Sequence, residues 1–357
     1  MLVFGTRPEA IKMCPLFKEL KGRSGIKTVL CVTGQHRGML DGVLRTFDTA
    51  PDYDLSVMKE GQTLCGVTAE ILCGLDRVLE EVRPSLVLLH GDTTTAFSSA
   101  LACFYRHIPI GHVEAGLRTY DMQSPFPEEF NRRSISLLSD YDFAPTEKAK
   151  DNLLREGKPI SRVFVTGNTV IDALKFTVKE AYDHPLLSWA KGSRLLLITA
   201  HRRESQGERL LGMLRAIRRA VEETKGVKAV YPVHMNPTVQ RVAREVLGNS
   251  EKIRLVPPLE VVDFHNVLAR SDLVLTDSGG IQEEATFLGK PVLVMRETTE
   301  RPEGVETGAL RLVGTSEEGV YQSLKTLLKK GAKAPVGASI YGDGSASARI
   351  ADIIEKI

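Results

Sequence analysis

Short apolar runs rich in Val, Leu and Ile recur along the chain, each followed by a polar loop and then a stretch with helical spacing. They are Val29 to Thr33, Leu86 to Leu89, Ile108 to Val113, Val163 to Thr166, Leu195 to Thr199, Ala229 to Val233, Leu273 to Thr276 and Val292 to Val294. A first strand of about four residues ends at Gly5. Continuous rather than alternating apolar runs fit strands covered on both faces, so the pattern predicts parallel sheets flanked by helices. Between Gly167 and Ser193 the pattern changes to a helical stretch, Val170 to Tyr182, and then to a linker holding Pro185 and Gly192. A domain boundary is placed there, giving residues 1–169 and 170–344, with a last helix over 345–357.

At 357 residues the chain is too long for one ordinary core, and two domains imply a cleft. Hydrophobic residues make up 42% and charged residues 26%, with no tract that suggests disorder. Lys and Arg number 47 against 45 Asp and Glu, so no global field attracts nucleic acid or an anionic membrane, and any anionic ligand must be held locally. No apolar run approaches the roughly 20 residues that span a bilayer, and no leader pattern opens the sequence, which reads as cytoplasmic. Cys14, Cys31, Cys65, Cys73 and Cys103 form no C-x-x-C pair, so reduced core thiols are expected.

The polar residues of interest fall just after the predicted strands, where doubly wound sheets bind ligands. Asp277-Ser278-Gly279-Gly280 opens a helix whose small residues let backbone N–H groups approach a phosphate, with Glu284 one turn on to accept from ribose hydroxyls. The ordinary alternative is a tight turn with a hydroxyl cap. Arg7 and Lys12 stand near a second helix start, where arginine suits a diphosphate, the alternative being an ordinary strand-to-helix turn whose cations are solvated. Asp92, Glu114 and Glu128 are carboxylates whose desolvation would fit them for general acid and base work, the alternative for each being a cap or an ion pair such as Glu128 with Arg132. His201 with Arg202, and more weakly His234, can trade protons or meet phosphate, the rival reading being a satisfied structural histidine. No G-x-G-x-x-G, no G-x-x-x-x-G-K-[ST] and no metal-ligand spacing is present, so a site without cofactor or metal is the simplest reading.

The strings FGTRPEAIKM, TGQHRGMLD, HGDTTT, GHVEAGLRT, SPFPEEFNRR, FAPTEKAKDNLLREG, VTGNTVIDAL, HRRES, YPVHMNP, LTDSGGIQEEA, GKPVLVMRETTERPE and YGDG run in order from residue 3 to about residue 345. In these the chain resembles the non-hydrolysing UDP-N-acetylglucosamine 2-epimerases. The resemblance implies two Rossmann-type doubly wound parallel-sheet domains of the GT-B-like kind with an interdomain active-site cleft, the last helix returning to the first domain. It implies a homodimer that converts UDP-N-acetylglucosamine reversibly to UDP-N-acetylmannosamine for surface polysaccharide, without cofactor. UDP is eliminated to a bound glycal and then re-added.

Carried over by position, Asp92, Glu114, Glu128 and His201 match the family's proposed catalytic groups. Arg7, Lys12, Arg132, Ser278, Gly279, Gly280, Glu284 and Arg301 match its substrate contacts, and Phe264 the ring beside uracil, with Leu259 where some relatives carry Gln. Gln35, His36, Gln62, Arg202 and His234 match positions tied to activation by a second substrate molecule, although Gly38 and Gly61 replace longer polar side chains of some members. Three other readings remain open at this point: a glycosyltransferase, a hydrolysing epimerase, and a sugar-nucleotide sensor. A sensor would need Ser278 and Glu284 but not Asp92, Glu114 and His201 together.

Overall fold

The structure, a computed structural model, describes residues 1–34, 37–59, 61–202, 205, 207–330 and 340–357. The chain divides into one unit of Met1–Phe176 with Tyr341–Ile357 and another of Thr177–Ile340. In the first, strands β1 (Leu2–Phe4), β2 (Leu30–Val32), β3 (Tyr53–Asp54), β4 (Val87–His90), β5 (Ile110–Val113), β6 (Tyr141–Ala144) and β7 (Val163–Val165) form a parallel sheet in the order β3-β2-β1-β4-β5-β6-β7. Its helices are α1 (Arg7–Lys21), α2 (Arg37–Thr46), α3 (Leu64–Val82), α4 (Thr94–Tyr105), α5 (Glu128–Leu138), α6 (Glu147–Arg155) and α7 (Thr169–Thr177), whose last residue belongs to the other unit. In β1, β4 and β5 every residue is buried, His90 and His112 along with the apolar positions, as strands covered on both faces require.

Helices α1, α3, α4 and α6 each begin at a threonine, Thr6, Thr63, Thr93 and Thr146, whose hydroxyl accepts an N–H three residues on. Each such cap contributes about 1 kcal/mol. At Thr6 the cap is reciprocal, because Glu9 returns a carboxylate to the Thr6 N–H at 2.7 Å, the box that Thr-x-x-Glu encodes.

The second unit carries β8 (Arg194–Thr199), β9 (Val227–Pro232), β10 (Ile253–Val256), β11 (Leu273–Thr276), β12 (Val292–Val294) and β13 (Leu310–Leu312), all parallel, in the order β10-β9-β8-β11-β12-β13. Helices α8 (Pro185–Ala190), α9 (Glu208–Glu222), α10 (Pro237–Leu247), α11 (Val261–Arg270), α12 (Gly279–Phe287), α13 (Pro302–Glu306) and α14 (Glu317–Lys330) complete it. One face of the sheet packs on α9, α10 and α14 through Leu196, Ile198, Met213, Ile217, Val242 and Leu324.

The periodicity missed β3, β6, β10 and β13. Polar residues interrupt the apolar signal in β6, where buried Asp142 sits 3.0 Å from Lys158 Nζ, and in β10 and β13, sheet edges that expose Arg254 and Arg311. The helix expected over Val170 to Tyr182 ends at Thr177. Beyond it the backbone is taken by α11: Lys179 N–H donates to Asn266 Oδ1 at 3.0 Å, and Arg270 donates to the Lys179 and Glu180 carbonyls. Cys14, Cys31 and Cys103 are buried, and burial pushes each thiol up to about 12. Cys65 and Cys73 lie exposed on α3, against the expectation of core thiols throughout. Among the described residues no helix is long and apolar enough to cross a membrane.

The returning segment ends in α15 (Ala346–Ile354), which lies against α1. Asp172 of α7 caps it, accepting from the Ala346 and Ser347 N–H groups at 3.2 and 2.8 Å. Arg23, two residues past the end of α1, reaches Asp352 in the last turn of α15 and Glu355 just beyond it. Asp172→Ala should therefore destabilise the first unit by about 1–2 kcal/mol. In urea, the circular dichroism transition of that unit moves to lower denaturant, while the fluorescence transition of Trp189, the single tryptophan and a second-unit residue, stays in place.

Candidate functional site

In the first sheet the strand order reverses between β1 and β4, and the loops leaving the carboxyl ends of β1, β4, β5 and β7 bring the polar residues together. Register pairs His90 with Val113, so Gly91-Asp92 and Glu114 leave neighbouring strand ends. Glu114 itself holds a left-handed backbone, φ +64°, a conformation that costs a non-glycine residue about 1–3 kcal/mol and persists only where its surroundings fix it. Its carboxylate Oε2 forms a buried ion pair with Lys12 of α1, accepts from Asn168 Nδ2 at 2.5 Å, and stands 3.7 Å from His90 Nε2. Lys12 is thus brought onto Glu114, while Arg7 opens α1 half-buried.

Asp92 is held from α5. Arg132 pairs with Asp92 Oδ2 at 2.7 Å, and Asn131 Nδ2 donates to the Asp92 carbonyl at 2.8 Å. Arg132 also donates from Nε to the Glu128 backbone carbonyl at 3.3 Å, so it joins the head of α5 to Asp92. Of the two adjacent glutamates, fully buried Glu129 is structural, its oxygens accepting the Thr119 and Tyr120 N–H groups. Glu128 stands half-buried at the head of α5. Glu9 joins the loops after β1 and β4, accepting from the Gly5 and Thr6 N–H groups and from the Thr93 hydroxyl at 2.6 Å. Burial raises its carboxyl above the usual range despite those donors.

In the second unit the order reverses between β8 and β11, and Asp277, fully buried at the end of β11, organises the loop after β8. Its Oδ2 accepts the His201 and Arg202 N–H groups at 2.7 and 2.8 Å, and its Oδ1 lies 3.7 Å from His201 Nδ1. The His201 ring stacks on that of His234, centroids 5.0 Å apart and planes at 6°. His234 Nδ1 accepts the Asn236 N–H, which places its ring proton on Nε2. Ser278 is the first residue before α12 and makes no side-chain cap bond, so the hydroxyl-cap alternative does not hold there.

Beside it, Arg301 donates to Glu283 Oε1 and Glu300 Oε1, both at 2.6 Å, and Glu300 also accepts from Arg296. Gly279 is required by that closeness: a Cβ there would stand 2.7 Å from Glu300 Oε1 and run into the Arg301 guanidinium. Further along α12, Glu284 Oε2 lies 3.5 Å from His265 Nε2, and Phe264 and Leu259 join the apolar cluster behind it.

Among the residues matched to activation, Arg202 reaches Glu300 at 3.4 Å, and Gln62 Oε1 accepts the Lys59 N–H at 3.2 Å. Gln35 and His36 lie outside the described residues. Among the described residues no three His, Cys, Asp or Glu side chains are placed to hold a metal ion. Sequence reasoning assigned no role to Glu9, Asn131, Asn168, Asp277, Glu283 or Glu300. The capping box marked Glu9, and the others stand inside the quoted strings without a spacing that separates them from ordinary loop residues.

A family model described as UDP-N-acetylglucosamine 2-epimerase matches residues 18–355. The UDP-N-acetylglucosamine 2-epimerase of Bacillus subtilis (strain 168) is 54% identical over 355 residues, covering 99% of this chain and 93% of its own. Among solved structures, the S. aureus MnaA–UDP co-structure superposes with a TM-score of 0.96 at 48% identity, covering 100% and 95% of the two chains. The UDP-GlcNAc 2-epimerase from Neisseria meningitidis bound to UDP-GlcNAc superposes with a TM-score of 0.95 at 44% identity, covering 100% and 99%. The GT-B-like class expected from the resemblance holds for both parallel-sheet units.

The turn bearing Asp92 rests on one more buried group. His112 Nε2 lies 2.7 Å from the Gly91 carbonyl, an acceptor only, so Nε2 carries the proton. Burial lowers the His112 pKa from 6.5 to about 4. The unfolded chain takes up that proton near 6.5, so this contribution is complete above pH 6.5 and lost as pH falls through about 4, a loss of about 3 kcal/mol. Stability from urea titrations between pH 6.5 and 4 should fall more shallowly in His112→Gln, which can still donate to Gly91. Equal slopes would remove His112 from the account.

Proposed function

The chain belongs to the UDP-N-acetylglucosamine 2-epimerase family, and from that premise we propose that it interconverts UDP-N-acetylglucosamine and UDP-N-acetylmannosamine by elimination and re-addition of UDP. The C2 hydrogen of the sugar has no neighbouring carbonyl to stabilise a carbanion, so simple abstraction and return is closed. In the elimination, a base takes the C2 proton, its electrons form the C1–C2 double bond, and the C1–O bond breaks toward UDP. In the return, UDP oxygen re-forms the bond to C1 while a proton reaches C2 from the opposite face. No electrons are gained or lost overall, so the sequence asks for acid–base groups and a diphosphate site alone.

The observation that carries this reading is the pair of carboxylates at adjoining strand ends, each held by its own cation: Glu114 by Lys12 and Asp92 by Arg132. A nearby cation favours the ionised form, the state in which a carboxylate can receive a proton. Glu128 is the third proton-transfer candidate. The second unit supplies the nucleotide groups: the start of α12 at Ser278-Gly279-Gly280 with Arg301 and His201 for the diphosphate, Glu284 for ribose, and Phe264 with Leu259 for the base. Arg7 is assigned to the departing phosphate. The same reading places the enzyme in the cytoplasm as a homodimer supplying surface polysaccharide, with Arg202 and His234 in its activation by a second substrate molecule.

Incubation with UDP-N-acetylglucosamine alone in D2O should yield UDP-N-acetylmannosamine with deuterium at C2, followed by proton and phosphorus NMR. Accumulation of free sugar and UDP would instead make the enzyme a hydrolase, and no change would remove the epimerase reading. Asp92→Asn and Glu114→Gln should each lower kcat by at least about 100-fold with UDP affinity largely retained. Near-normal turnover in both would overturn the assignment of the carboxylates.

A further inference from the structure

Two of the long strings, VTGNTVIDAL and YGDG, take no part in the chemistry above, yet they meet within the first unit. Gly167 and Gly342 cross backbone to backbone. A Cβ on Gly167 would stand 3.0 Å from Gly342 Cα, one on Gly342 would stand 3.1 Å from Gly167 Cα, and both residues have left-handed φ, +86° and +113°. That approach lets the Asn168 N–H donate to the Tyr341 carbonyl at 2.7 Å. The Asn168 side chain is then oriented by two bonds. Its Oδ1 accepts the Val170 N–H at 3.0 Å, and because a donor can only meet the oxygen, Nδ2 is turned the other way, onto Glu114 Oε2 at 2.5 Å.

The segments on either side are fastened independently. Arg349 donates to the Thr166 carbonyl at 3.0 Å, and Asp172 caps α15. At the receiving end, Glu114 stands on a left-handed backbone, with the Lys12 ammonium on the same oxygen and His90 Nε2 at 3.7 Å. A cation alone fixes charge but little direction. The amide adds a directed donor of zero net charge, which holds the carboxylate rotamer without further neutralising it.

We infer that Asn168 is a positioning residue for Glu114, and that the Tyr341–Gly344 turn of the returning segment holds Asn168 in place for that purpose. The inference rests on the proton-transfer role proposed for Glu114.

Asn168→Asp keeps the oxygen that accepts from Val170 but replaces the donor to Glu114 by a second carboxylate. With UDP-N-acetylglucosamine as substrate it should lower kcat by about 10- to 100-fold, the worth of one hydrogen bond to a charged group. KM and the UDP dissociation constant should change little, and the acidic limb of kcat/KM should move to higher pH, because a like charge disfavours ionisation of Glu114. In the Glu114→Gln background the same substitution should cause no further loss, since the glutamine amide can donate to the introduced carboxylate. Gly342→Ala should lower kcat in the same direction with UDP binding retained.

Wild-type kcat and pH profile in Asn168→Asp, or losses that multiply in the double variant, would overturn the positioning role. Normal turnover in Gly342→Ala would remove the turn from it. Normal turnover in Glu114→Gln alone would instead overturn the role of Glu114, which separates the two failures.

Discussion

A parallel sheet delivers every strand's carboxyl end to one edge, and each helix that follows begins there with unsatisfied N–H groups. Both units inherit this constraint, and each carries buried polar residues where the strand order reverses, Glu9 and His90 at β1 and β4 and Thr199 and Asp277 at β8 and β11. The threonine caps, the Glu9 carboxylate between two loops, and Asp277 beneath the His201-Arg202 turn all answer the same need to pair backbone donors at that edge. The groups proposed for chemistry stand on this polar scaffold rather than apart from it.

Charge is handled locally and in pairs. Lys12 with Glu114 and Arg132 with half-buried Asp92 in the first unit, and the buried run Glu283, Arg301, Glu300 and Arg296 in the second, set ionised groups within hydrogen-bonding range of their partners. Removing one member of a fully buried pair, such as Glu283 with Arg301, leaves the other uncompensated, at a cost of about 3–5 kcal/mol.

Much of this is legible in the chain alone. Unbroken apolar runs mark the interior strands, and the strings put Asp92, Glu114, His201 and Ser278 just after strand ends, where the sheets carry them. Edge strands such as β10 and β13 are not legible, because Arg254 and Arg311 dilute their apolar signal. Neither is the early end of α7, which is set by hydrogen bonds to α11, far away in sequence. The partners are the hardest to read. Nothing local tells Arg132 to reach Asp92, or Asn168 to reach Glu114 across 54 residues of chain. Such choices are made by strand register, which exists only when the sheet is assembled.

The first unit is discontinuous: α15 lies on α1, although more than 300 residues of chain separate them, while the second unit is one unbroken stretch. During synthesis at roughly 5–20 residues per second the opening stretch of the first unit therefore waits on the order of ten seconds or more, while the inserted unit is made, for the segment that completes it. The contacts of Asn168 with Tyr341 and of Asp172 with α15 cannot form before that segment has been synthesised. The first unit is thus begun first but cannot be finished until the whole of the second has been made, unlike an independent domain, which can mature as soon as its own residues are complete.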